Sequence, residues 1–95
     1  MALSEKDRLA LDFLRRNPTV QKMLDFLNRD GFEKIIHELA ARADISAHEA
    51  EELLNTCVEY GMLTRRSVVE DIVRVNFSSS GRQLYTIFVL QRAAH

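Results

Sequence analysis

The strongest constraint on this fold lies between Ile35 and Val58. There, apolar residues recur at helical spacing on both sides of one short break, "ADIS". Ile35, Ile36, Leu39 and Ala40 mark the inward face of one helix, expected over Glu33 to Ala43. Ala50, Leu53, Leu54, Cys57 and Val58 mark that of a second helix beginning at Ser46. Ser46 with Glu49 fits the S-x-x-E capping pattern, in which serine and glutamate each satisfy an orphan backbone N–H. Gly61 ends the second helix. Two short helices joined by a tight turn must share one small core, which makes the outward face of the second helix available for function.

The flanks complete a mainly α chain. Ser4 with Asp7 starts a helix that must stop before Pro18, because a residue preceding proline avoids the helical region. Asn17 is positioned to cap the next helix, with Pro18 in its first turn. Val20, Met23, Leu24 and Leu27 form its buried stripe, and Gly31 closes it in a left-handed conformation. Phe32 begins a short extended link. Beyond Leu63 the composition shifts to β-branched residues: "LTRRSVV" and "IVRVNF" flank Glu70-Asp71, the pattern of a two-stranded hairpin with an acidic tip. "SSSGRQLYTIFVLQRA" suits either a third strand, through Thr86 to Val89, or a helix, through Leu84, Ile87, Phe88 and Gln91.

At 95 residues the chain is expected to form one domain over 1–95. Its net charge of −1 is unevenly spread: residues 1–42 carry eight Lys/Arg and seven Asp/Glu, residues 43–61 none and five, and residues 62–95 five and two. The second helix of the pair is thus acidic and the hairpin is rich in arginine. Cys57 is the only cysteine, which excludes an internal disulfide and a thiolate metal cluster within one chain. No metal and no cofactor are expected. The usual nucleotide-binding loop, nucleophile-elbow and zinc-protease motifs are absent, so an enzyme is not expected. There is no membrane-length apolar run, and "MALSEKDRLA" lacks the features of a signal peptide, so a cytoplasmic location is expected.

The order helix, helix, link, helix, turn, helix, hairpin is that of a winged helix-turn-helix. "IIHELAARADISAHEAEELLNTCVEYGMLTRR" resembles the helix-turn-helix and first wing strand of MarR- and PadR-type transcriptional regulators. "FSSSGRQLY" looks like the stretch that leaves the wing and begins the C-terminal helix in those families. The resemblance covers about residues 18–92 and favours a helix at the C-terminus. It implies a winged helix-turn-helix with extra N- and C-terminal helices, about 3–16 and 79–92, packed at a homodimer interface through Leu9, Phe13, Leu84, Tyr85, Phe88 and Val89. It also implies a DNA-binding regulator with helix 46–60 in the major groove and the wing on the backbone of double-stranded DNA.

The candidate DNA contacts are Arg42, Arg65, Arg66 and Arg74 for phosphates, and His48 and Asn55 for bases. The reading helix departs from its relatives. Where those families usually carry Ser, Thr, Gln, Arg or Lys, this chain keeps Thr56 but has His48, Glu49, Glu52 and Glu59 beside it. The alternative is therefore a winged-helix protein–protein interaction module whose acidic helix docks a basic partner.

Overall fold

A computed structural model describes residues 3–31, 33–69 and 72–94. Phe32 and the acidic pair Glu70-Asp71 lie outside the described residues, so neither the start of the link nor the expected hairpin tip is characterised.

The helices begin where short-range chemistry places them. α1, Glu5–Arg16, opens on a reciprocal capping box: Asp7 N–H donates to Ser4 Oγ (3.1 Å) and Ser4 N–H to Asp7 Oδ2 (3.2 Å). α2, Pro18–Asp30, starts with proline in its first turn and ends at Gly31, whose φ of 73° is left-handed. The Asn17 side chain does not cap α2 as expected. It turns back and donates to the Phe13 carbonyl (2.7 Å), and Gln21 donates to the Leu14 carbonyl (2.8 Å), so both polar groups satisfy the last turn of α1.

The expected helix 33–43 is shorter than its periodicity implied. Lys34–Ile35 forms a two-residue strand, β1, and α3 runs only over Ile36–Ala43. The hairpin causes this: β1 pairs antiparallel with the second wing strand, Lys34 opposite Val75 and Ile35 opposite Arg74. Pairing with a distant strand outweighs continuation of a local helical pattern. Asp44 then takes a left-handed φ of 58° in the tight turn. α4, Ala47–Glu59, begins at Ser46, whose Oγ accepts from Glu49 N–H (3.1 Å).

The wing consists of β2, Leu63–Val69, and β3, Ile72–Phe77. With β1 it makes a three-stranded antiparallel sheet in the order β1-β3-β2 rather than an isolated hairpin. The ambiguous terminal segment is a helix, α5, Ser79–Ala93, capped by Ser78. Together these elements form a winged helix-turn-helix with an additional helix at each end.

One core joins them. Leu14, Val20, Met23, Leu24, Leu39, Ala50, Leu54, Cys57 and Met62 have no exposed surface, and α5 contributes Leu84, Tyr85 and Phe88. Cys57 is sealed in this core, and burial pushes its thiol up from 9.0 to about 12. The wing is rooted where α5 begins. Met62 N–H donates to the Cys57 carbonyl (3.0 Å) and Ser78 N–H to the Met62 carbonyl (2.9 Å). Ser78 Oγ accepts from Gly81 N–H (2.9 Å) and donates to the Gly61 carbonyl (2.6 Å). Gly81 packs so closely against this turn that a Cβ there would lie 1.8 Å from the Met62 oxygen.

Candidate nucleic-acid interface

α4 buries Ala50, Leu54 and Cys57, and that leaves its opposite face in solvent. His48 Nε2 lies 3.1 Å from Glu52 Oε1, one turn along, and both side chains are more than two-thirds exposed, at 83% and 69%. Glu52, which no cap or border position accounts for, thus has a partner on its own helix. Glu49 and Glu59 are exposed, and Thr56 Oγ1 donates to the Glu52 carbonyl (3.2 Å).

Asn55 is half-buried and turned toward the wing, where its Oδ1 accepts a hydrogen bond from an Arg65 guanidinium N–H. Glu51 Oε1 stands 4.0 Å from the same guanidinium. Arg65 shares the core-facing side of the sheet with its cross-strand partner Val75, which directs it at α4. One candidate base reader and one candidate phosphate ligand therefore hold each other, fixing the wing beside the reading helix.

Arg66 and Arg74 occupy the other side of the sheet, directly opposite one another on β2 and β3. Both converge on Glu33, just before β1: Arg66 hydrogen-bonds Glu33 Oε1, and Arg74 NH1 lies 3.8 Å from the same oxygen. Arg42 lies over the ring of Phe26, its guanidinium carbon 4.3 Å from the centroid. Lys34 also approaches that ring (5.5 Å) and pairs with Asp30 at 2.9 Å. The Lys34 hydrogen bond, helped by the charges of Lys34, Arg29 and Arg42, holds the Asp30 carboxyl below its ordinary range.

The structure brings Asn55, Arg65, Arg66 and Arg74 together around the wing, leaves His48 on the open face of α4, and sets Arg42 apart against α2. Sequence reasoning missed Glu33, which organises two of the arginines. The sequence carried no signal for it: a regular hairpin turning at Glu70-Asp71 would set Ser67 opposite Arg74, and the register shift between Ser67 and Val69 puts Arg66 there instead.

The residues expected at a second chain divide in two. Leu84, Tyr85 and Phe88 are each only 3% exposed, taken up by the chain's own core, and Tyr85 OH donates to Asp25 Oδ1 of α2. Phe13 and Val89 are half-buried, Phe13 against Tyr60. On the surface of the terminal helices, Leu9 is 48% and Leu90 65% exposed. An open cleft of about 600 Å³ near the C-terminal end of α5 is lined by Arg15, Gln21, Phe88, Gln91 and Arg92. Among the described residues no cluster of three His, Cys, Asp or Glu side chains could hold a metal ion, and no helix is long and apolar enough to cross a membrane.

No protein-family model and no curated protein matches the sequence, but solved structures match the fold. NadR, in complex with 4-hydroxyphenylacetate, superposes with a TM-score of 0.67 at 17% identity over 87% of this chain and 62% of its own. A homodimeric winged helix-turn-helix DNA-binding domain from Mycobacterium bovis, a possible ArsR-family transcriptional regulator, superposes with a TM-score of 0.65 at 19% identity, over 99% of this chain and 89% of that one. The present chain thus spans under two-thirds of NadR but nearly all of the mycobacterial domain. At these identities the likeness establishes the winged-helix fold.

Proposed function

We propose that this chain is the DNA-binding part of a transcriptional regulator, acting as a homodimer in the cytoplasm and having no enzymatic role. In this reading α4 enters the major groove, His48 faces the bases, Asn55 reaches them from the flank once its bond to Arg65 opens, and Arg42, Arg65, Arg66 and Arg74 serve the phosphates. The observation that carries the proposal is the Arg65–Asn55 contact within a winged helix-turn-helix, because it sets the wing and the outward face of α4 side by side as one surface. The mycobacterial homodimer supports the dimeric arrangement. Leu9, Phe13 and Val89, with Leu90, supply apolar surface for it, and Leu84, Tyr85 and Phe88 stiffen the helices beneath. Two copies would read half-sites about one helical turn apart.

The test is fluorescence anisotropy of the protein with mixed-sequence duplex DNA at low and physiological salt. Binding in the micromolar range that weakens steeply with salt is expected. Replacing Arg65 and Arg66 by alanine should weaken binding to every sequence and flatten the salt dependence by about one to two units in log–log slope. Wild-type affinity in that double variant would remove the wing from the interface.

A second reading follows from a separate observation: α4 carries no lysine or arginine, and Glu49, Glu51, Glu52 and Glu59 are all exposed. Such a face suits a basic protein surface, and the domain would then be an interaction module. Glu51→Lys with Glu52→Lys should release such a partner. A partner retained by that variant would exclude this docking face.

A further inference from the structure

On the outer face of the sheet Arg66 and Arg74 are cross-strand neighbours, a placement in which like charges repel. One oxygen offsets that repulsion. Glu33 Oε1 bonds Arg66 and lies 3.8 Å from Arg74 NH1. Glu33 can reach both because β1 pairs in register with β3, Ile35 opposite Arg74, and residues two apart on a strand share a face. Lys34, on the opposite face, is occupied by Asp30 and takes no part.

Two guanidiniums focused on one anionic oxygen is an arrangement that suits a phosphate, which offers more acceptor oxygens than a carboxylate arm. Among the described residues Arg74 Nε is buried with no hydrogen-bond partner, so Glu33 does not use all the donors of Arg74. Glu33 is tethered and saturates the pair only partly. It is strong enough to hold the arginines together and close enough to solvent to be displaced, its side chain being 29% exposed.

We propose that Arg66 and Arg74 form a phosphate-binding site on the wing, and that Glu33 occupies it in the free protein as an internal competitor. The source of the phosphate is a DNA backbone, and that part rests on the DNA-binding reading above. Glu33 then sets the strength of wing binding without touching DNA.

The test compares the full chain with Glu33→Gln, which keeps the side chain's shape and removes its charge, using two probes. The first is mixed-sequence duplex DNA followed by anisotropy over a range of salt. The second is inorganic phosphate followed through the arginine Nε–Hε resonances by NMR. Glu33→Gln is expected to bind DNA about three- to fivefold more tightly, the size of effect that releasing a partly exposed surface ion pair gives, with a salt slope steeper by about 0.9. Arg66 and Arg74 resonances should move at lower phosphate concentration than in the wild type. Glu5→Gln removes the same charge from α1 and should change neither.

A gain for DNA supports the proposal with a backbone as the phosphate source. A gain for inorganic phosphate alone supports the site and its competitor but not that source, and if no protein binds DNA at low salt it is the DNA-binding reading that fails. No gain with either probe overturns the proposal. So does an equal gain in Glu5→Gln, or a gain that survives when Arg66 and Arg74 are also replaced by glutamine. Circular dichroism confirms that each variant is folded before it is scored.

Discussion

At the root of the wing the chain is stitched by backbone. Met62 N–H reaches the Cys57 carbonyl, Ser78 N–H reaches the Met62 carbonyl, and Gly81 lies against the same turn with no room for a side chain. A few residues further along the same strands, Arg66 and Arg74 are held by a carboxylate in contact with water. The root is dry, short-ranged and intolerant of volume. The body is charged, exposed and able to trade one anion for another. Within one hairpin, then, the parts that set stability and the parts that set binding are separable, and substitutions can break or sharpen that division.

The sharpest break is Gly81→Ala. Elsewhere in a helix this change would stabilise by about 1 kcal/mol through propensity. Here the new methyl would lie 1.8 Å from the Met62 oxygen, so α5 must lift off the wing root. A loss of about 3 kcal/mol is expected in urea denaturation, in the upper range for overpacking.

Cys57→Ser, beneath the same root, should cost about 2 kcal/mol by burying a hydroxyl in an apolar site. The wild-type thiol gives the matching pH test. Its folded pKa of about 12 lies above the ordinary 9.0, so the folded state keeps a proton that the unfolded chain has lost. Stability should therefore be unaffected by this group below pH 9 and fall as pH rises from 9 toward 12. Denaturation midpoints collected across that window measure the slope, and a flat profile would show that the thiol is not sealed.

Ser78→Ala removes the cap of α5 and its bond to the Gly61 carbonyl, at an expected cost of about 1 kcal/mol. Glu33→Gln, in the body, should cost no more than about 1 kcal/mol of stability, the same size as its effect on anion binding. A large destabilisation by Glu33→Gln would erase the division between root and body.

Much of this architecture was legible because its signals are local. The Ser4 cap, Pro18, Gly31, the serine half of the Ser46–Glu49 box and the apolar stripe of α4 each act within a turn or two, and each stands where the residues placed it. β1 was not legible, since nothing in Lys34 and Ile35 distinguishes a strand from a helix start until Arg74 and Val75 lie beside them. The same distance hid Glu33. Asn17 illustrates a local ambiguity, a cap that can serve either of two adjoining helices and goes to the one behind it. The terminal helices were expected at a second chain, and part of their apolar surface turns inward instead. Leu84, Tyr85 and Phe88 enter the chain's own core because α5 folds back beside α1 and α2, and a single helix's periodicity carries no record of that return.

The two-residue strand β1 also imposes an order of assembly. α1 to α4 can form from contacts close in sequence, and β2 with β3 needs only a hairpin. β1 must wait, because its partner is the far strand of that hairpin, and pairing across the whole helix-turn-helix is a non-local step, though the return of α5 to α1 and α2 spans more of the chain still. Once made, it clasps residues 36–73 into a ring closed at both ends by the sheet. The same pairing that closes the ring brings Glu33 beside Arg66 and Arg74, so the two-residue strand that completes the sheet also fills the arginine pair.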